Sequence, residues 1–145
     1  MENSINVKGD LEIFLHGPSG ELKSHVSAKN LVVTVGKNWI ASRMVGASST
    51  VMSHMAIGTG STGATTPNTT LVTETGRVVL TSTVNALNQV TYSAFFPAGT
   101  GTGSIVEAGI FNASSAGTML ARTTFGVISK DTIETLTINW TITIL

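Results

Sequence analysis

From Leu136 to Ile144 the chain alternates without a break. Leu136, Ile138, Trp140, Ile142 and Ile144 fall on one side, and Thr137, Asn139, Thr141 and Thr143 on the other. A period of two over this length fits one backbone state, an extended strand with one face buried and one face wet. Thr on the wet face is β-branched, so it suits a pleated surface and supplies polarity without charge.

Hydroxyl in place of charge is a property of the whole chain. Its 145 residues include 15 Ser and 23 Thr, but only 11% are charged, with 8 Lys and Arg balancing 8 Asp and Glu. Soluble domains typically carry about 25% charged residues. With 41% apolar residues the chain has enough to bury, which argues against disorder. A net charge of zero leaves no electrostatic footprint for nucleic acid. There is no apolar run of roughly 18 residues, so no membrane-spanning helix is expected. Residues 1–6 lack the basic end and apolar stretch of a signal peptide. The absence of Cys removes disulfides, Cys-ligated zinc and thiol chemistry, and accords with synthesis in a reducing cytoplasm.

Period-two segments recur upstream. Leu11, Ile13 and Leu15 alternate with Glu12, Phe14 and His16, and residues 17–20 turn the chain into a weaker partner strand over 21–27. Further strands are expected over 31–35, 51–57, 77–84, 89–96, 105–111 and 119–129. One helix is expected over 37–45, with Trp39, Ile40 and Met44 as its apolar stripe, Arg43 outward, and Gly46 with Ser48 and Ser49 as its stop. Eight or nine short strands and one short helix predict an all-β fold, an antiparallel β-sandwich or jelly roll. A barrel around a ligand cavity is the alternative. The domain spans 1–145, with residues 1–8 as a flexible N-terminal arm. Residues 55–75 form the longest expected loop, and loops of that length in compact domains are functional or disordered.

Few motifs suggest chemistry. Residues 58–63 spell G-x-G-x-x-G, but a dinucleotide site needs a helix to open behind it, and residues 64–70 have poor helix propensity and no Lys. A flexible loop between sheets is expected instead. A second Gly/Thr run, 99–103, predicts a hairpin tip. His16, His25 and His54 have no acidic residue at tight ligand spacing, so no metal site is expected. There is no G-x-S-x-G elbow. Glu74, Glu107, Asp131 and Glu134 are the carboxylates available for glycoside hydrolysis. However, only 6% of the chain is aromatic, too little for the platforms of a sugar-cleaving cleft. The expectation is a protein that is not an enzyme and takes no cofactor.

The charges of the second half stand out. Glu107 lies between Ile105 and Gly109, and Arg122 between Leu120 and Thr124, both in apolar strands. Burying a charge alone costs several kcal/mol. Glu74 or Glu107 is therefore expected to pair with Arg77 or Arg122, across strands or across a subunit boundary; the alternative is four solvated charges. Phe14 and Phe95 are out of phase with their core-facing neighbours and are candidate interface residues, or pack under a loop or the helix.

Taken together, several stretches resemble small structural proteins of tailed-bacteriophage virions. They are Asn30-Leu31-Val32-Val33 with Gly36-Lys37-Asn38 and Ile40-Ala41; Ala56-Ile57-Gly58-Thr59-Gly60; Leu71, Glu74 and Arg77; Glu107-Ala108-Gly109-Ile110-Phe111-Asn112; Leu120-Ala121-Arg122-Thr123-Thr124-Phe125; and Trp140. Similar chains are described as capsid decoration (cement) or tail-fibre-like proteins. The resemblance covers most of the chain from Gly9 onward. It implies an all-β virion component, assembled in the host cytoplasm and usually oligomeric. The expected role is decoration: a homo-oligomer, with a trimer favoured, that binds the major capsid protein of the assembled shell at several points at once. The alternative is a tail fibre, collar or receptor-binding component whose loops 59–70 and 100–104 face the host. A fibre shaft would show heptads or repeats, and the chain has neither.

Overall fold

In the computed structural model, which describes residues 4–47 and 50–145, ten strands and one helix follow one another. They are β1 (Val7–His16), β2 (Leu22–Lys29), β3 (Leu31–Val32), α1 (Thr34–Met44), β4 (His54–Gly58), β5 (Glu74–Val79), β6 (Ser82–Ala86), β7 (Gln89–Phe96), β8 (Gly103–Phe111), β9 (Met119–Lys130) and β10 (Thr135–Ile144). The strands form two antiparallel sheets of five, ordered β2-β1-β10-β7-β6 and β3-β9-β8-β4-β5. The fold is an all-β sandwich whose core takes side chains from both sheets, among them Leu11, Ile13, Phe96, Ile105, Ile110 and Trp140.

The most regular alternation in the sequence belongs to the middle strand of the first sheet. β10 lies between β1 and β7, with Trp140 opposite both Leu11 and Tyr92. Its apolar face from Leu136 to Ile142 is buried, while Ile144 at the strand end is partly exposed. On the other face Thr137, Asn139 and Thr141 are half-buried, and Thr143 is covered where Gln89 Nε2 donates to its hydroxyl at 3.3 Å.

The expected N-terminal arm is shorter than residues 1–8. Val7 pairs with Ile144, and Asn6 and Leu145 exchange backbone hydrogen bonds at 3.2 and 2.7 Å. Residues 6–8 are thus held to the first sheet, and residues 1–3 lie outside the described residues.

The single strand expected over 77–84 is two strands in different sheets. The change of sheet falls at the Leu80–Thr81 bond. The Leu80 N–H donates to Ser53 O at 2.9 Å on the second-sheet side, and the Thr81 N–H donates to Ser93 O of β7 at 2.8 Å. Period-two reading cannot detect such a step, because both halves keep extended geometry. Residues 99–103 likewise cross from β7 to β8, and so from one sheet to the other, where a hairpin tip was expected. Gly99, Gly101 and Gly103 all have positive φ (85°, 67° and 123°), a conformation that L side chains avoid.

The helix begins three residues before its expected start and leaves β3 only two residues long. Val33 is its N-cap and offers no side-chain hydrogen bond, so packing fixes the helix instead. Gly36 is pressed against the Leu120 backbone where a Cβ would clash, and Trp39 and Ile40 pack on the core. Met44 does not complete the stripe. One turn beyond Ile40 nothing covers it, and it is 82% exposed. Gly46 follows the helix with φ +64°; the expected stop at Ser48 and Ser49 lies outside the described residues.

Candidate functional site

Residues 59–73 join β4 to β5 and lie over the outward face of the second sheet, above Glu107 of β8 and Arg122 of β9. Glu107 reaches that face through a break in phase. Ile105 and Ala108, three residues apart, both enter the main core, and the β8–β9 register shifts between Ile105 and Glu107. Beyond the shift, Glu107 and Phe111 point away from the main core. Glu107 is therefore buried by the loop and not by the inter-sheet core expected from its neighbours. Arg122 is opposite Gly109, while Glu107 is opposite Thr124, which makes the two charges diagonal neighbours on adjacent strands.

Arg122 Nε and Nη2 both donate to Glu107 Oε1, at 3.1 and 3.0 Å, and both side chains are 0% exposed. The remaining capacity of the pair goes to the loop. Glu107 Oε1 accepts the Val72 N–H at 2.9 Å, and Oε2 accepts the N–H groups of Gly60 and Thr73, each at 2.8 Å. Arg122 Nη2 donates to Thr62 O at 2.8 Å and Nη1 to Asn68 Oδ1 at 3.1 Å. The Thr34 N–H at the start of α1 donates to Thr66 O at 2.9 Å. Leu71 closes the underside against Val33, Ala56, Phe111 and Met119.

This arrangement explains the glycines of the G-x-G-x-x-G string. A Cβ on Gly58 would lie 2.7 Å from Glu107 Oε2 and collide with Thr73 O, and a Cβ on Gly60 would lie 2.5 Å from the same carboxylate oxygen. Gly63 faces open space. Loop N–H groups converge on an anion, as they do around a phosphate, but the anion is the chain's own carboxylate. The loop is thus pinned from below at several points, where the sequence suggested a flexible connection.

Glu74 and Arg77 form a second pair. Arg77 Nη2 and Nε meet the two Glu74 carboxylate oxygens at 2.7 and 3.0 Å. Three residues apart on a regular strand they would face opposite ways. The irregularity opposite Ile57 and Gly58, which pairs Gly58 with Glu74 and Ile57 with Gly76, restores them to one side. Arg77 Nη1 donates to Ala113 O and Ala116 O at 3.0 and 2.9 Å, and its guanidinium lies 3.8 Å from the centre of the Phe111 ring. One arginine therefore holds the 59–73 loop and the other the 112–118 turn. Both pairs close within one chain.

Phe14 and Phe95 lie on the outward face of the first sheet with Thr137 between them, since Thr137 is opposite both. Phe95 is 44% exposed, and its neighbour Phe96 is buried in the core. Phe14 stacks on His25 at 4.6 Å between ring centres. His25 Nε2 pairs with Glu12, which also accepts the Ser27 hydroxyl at 2.8 Å. The His25 contact first, and the Ser27 bond second, hold the Glu12 carboxyl below its ordinary value. His16 is opposite Leu22, and His54 Nδ1 is 2.8 Å from Ser53 Oγ. Among the described residues no group of three or more His, Asp or Glu is placed to hold a metal ion.

The other two carboxylates serve the β9–β10 turn. Glu134 Oε1 accepts the Asp131 N–H at 2.7 Å, and Oε2 pairs with Lys23. The Lys23 bond, followed by the Asp131 N–H, lowers the Glu134 pKa, and Glu134 in turn raises that of Lys23. Lys130 is buried beside them, donates to Pro97 O at 3.0 Å, and is pushed down by burial. These groups line an open cleft of about 750 Å³ that contains none of the residues of the two arginine pairs.

Sequence reasoning singled out all four charges and the glycine string, but did not join to them the loop groups that complete the site: Gly60, Thr62, Asn68, Val72 and Thr73. The available signal was the coincidence of a close-approach Gly-x-Gly with an acid in an apolar strand. Comparison with protein-family models, with curated proteins and with solved structures finds no match to this chain.

Proposed function

We propose that this chain is a structural component of a tailed-phage virion: a decoration protein that binds the assembled head shell and ties neighbouring copies of the major capsid protein together. The resemblance described above motivates the reading, and the pinned loop supports it. Residues 61–70 present Ser61, Thr62, Thr65, Thr66, Pro67, Thr69 and Thr70 to solvent without a formal charge, while the buried Glu107–Arg122 pair fixes the backbone beneath. A loop ordered in advance loses little conformational freedom on docking, so more of its contact energy appears as affinity. Several such loops on one homo-oligomer grip the shell together. The protein acts through added contact area, without catalysis or cofactor, after assembly in the host cytoplasm.

The test is incubation of purified protein with expanded capsids that lack it, followed by sedimentation and electron microscopy. Binding at regular shell sites, weakened by Thr66→Lys in the loop, is expected. Failure to bind at any shell site overturns the decoration role. Binding to host cells or glycans in its place moves the protein to the tail.

A further inference from the structure

The two sheets have four edge strands: β2 and β6 in the first, β3 and β5 in the second. Exposed edges invite pairing with another chain, and proteins blunt them with charge, bulges or short length. Three of the edges here are blunted. β2 carries Lys23, His25 and Lys29, β3 is two residues long, and β5 has the irregularity at its β4 pairing and the Glu74–Arg77 pair.

β6 has none of these devices. Its five residues, Ser-Thr-Val-Asn-Ala, are uncharged, contain no Pro, and pair with β7 in an unbroken register. All five are exposed. From Val78 to Val106 the chain has no Asp, Glu, Lys, Arg or His. Val84, at the centre of β6, is 55% exposed, and Leu87 in the following turn is 98% exposed. Leu87 has φ 54°, a turn conformation usually left to Gly or Asn.

We infer that β6 is the seam along which two copies of this chain join, each β6 antiparallel to the other, in one continuous sheet around a two-fold axis near Val84. Charge selects the occupant. The β2 edge of a second copy would set lysines against a strand with no acid, and its β5 edge would bring the Glu74–Arg77 pair. The β3 edge is uncharged but only two residues long, too short to pair with all of β6, which leaves β6 against β6 as the one full-length match of uncharged edges. An antiparallel pairing of identical strands is also self-complementary, as a two-fold contact requires. The inference does not rest on the proposed virion role, and for the free protein it replaces the trimer favoured with the decoration role.

Light scattering and sedimentation equilibrium over a wide concentration range test it. The wild type should show twice the 15.0 kDa chain mass. Val84→Lys places like charges near the axis and should weaken association by at least about 100-fold, leaving a 15.0 kDa species. Leu22→Lys, on the β2 edge, should remain a dimer. Equimolar Val84→Lys and Val84→Glu should recover the dimer mass as a mixed pair. Wild type at the monomer mass throughout, a trimer mass, or an undisturbed Val84→Lys dimer overturns the inference. If the lysine variant fails to fold, amide exchange of the wild type decides. Protection of residues 82–86 that disappears on dilution supports the seam, and exchange that ignores concentration overturns it.

Discussion

Arg122 reaches Glu107 through two nitrogens that share one carboxylate oxygen, and neither side chain touches solvent. The second carboxylate oxygen and the remaining guanidinium donors are thereby left for the loop above. A buried pair that satisfied only itself would do little for stability, because desolvation offsets the attraction. Here the pair also supplies partners for the backbone of a segment with no strand or helix of its own, which otherwise would need water.

Removal of one charge leaves the other buried and unmatched. Glu107→Gln should cost about 3–5 kcal/mol of unfolding free energy in urea titration. It should also open residues 61–70 to limited proteolysis. The double variant Glu107→Gln, Arg122→Met should lose less than the sum of the single losses, since the two groups act as a unit. A single-variant loss below about 1 kcal/mol would remove the clamp from the account of stability.

Gly60 and Gly63 separate steric demand from mere loop composition. Gly60→Ala drives a Cβ into the Glu107 carboxylate and should destabilise by about 1–3 kcal/mol. Gly63→Ala meets nothing and should stay within about 0.5 kcal/mol of wild type. Thermal melts of the two variants side by side make the comparison.

Arg77→Lys keeps the charge but loses the fork. Lysine cannot span both Glu74 oxygens and the Ala113 and Ala116 carbonyls while its charge sits over the Phe111 ring. A loss of about 1–3 kcal/mol is expected. Amide exchange should show faster opening of residues 112–118, with the 59–73 loop unaffected.

The Lys23–Glu134 pair gives a pH dependence with two limbs. The Glu134 pKa is lowered from 4.5 in the folded chain, so its stabilisation is present above 4.5 and is lost as pH falls through the lower folded value. The Lys23 pKa is raised from 10.5, so its stabilisation is complete below 10.5 and is lost as pH rises through the higher folded value. Lys23→Met removes the partner of Glu134 and should flatten both limbs in melting temperatures measured across the pH range. If the variant keeps the acid limb of the wild type unchanged, the limb belongs to other carboxylates, Glu12 first among them.

The elements legible in the sequence are those governed by one neighbourly rule. β10 has a partner on each side and one face on the core, so its alternation is complete, and β7 matches its expected span of 89–96. Legibility fails where a long-range event changes the phase. The shift at Ile105 and Glu107 reverses the face of Glu107, the bond after Leu80 changes sheets, and α1 begins at Thr34 with no capping side chain to announce it. The loop partners of Glu107 are backbone N–H groups, which every non-proline residue has, so no residue type at Val72 or Thr73 marks them.

Because Val7 is opposite Ile144, the order of synthesis opposes the order of pairing. β1 leaves the ribosome early with its apolar face meant for the core, yet its β10 neighbour is the last strand of the domain to emerge. Until then β1 has only β2 beside it, and a two-stranded ribbon is marginal in water. Closure of the first sheet is therefore a late, long-range step, of the kind that slows β-rich domains. The nascent chain passes through that interval with only 11% charged residues, and its polarity comes mainly from hydroxyls, 15 Ser and 23 Thr.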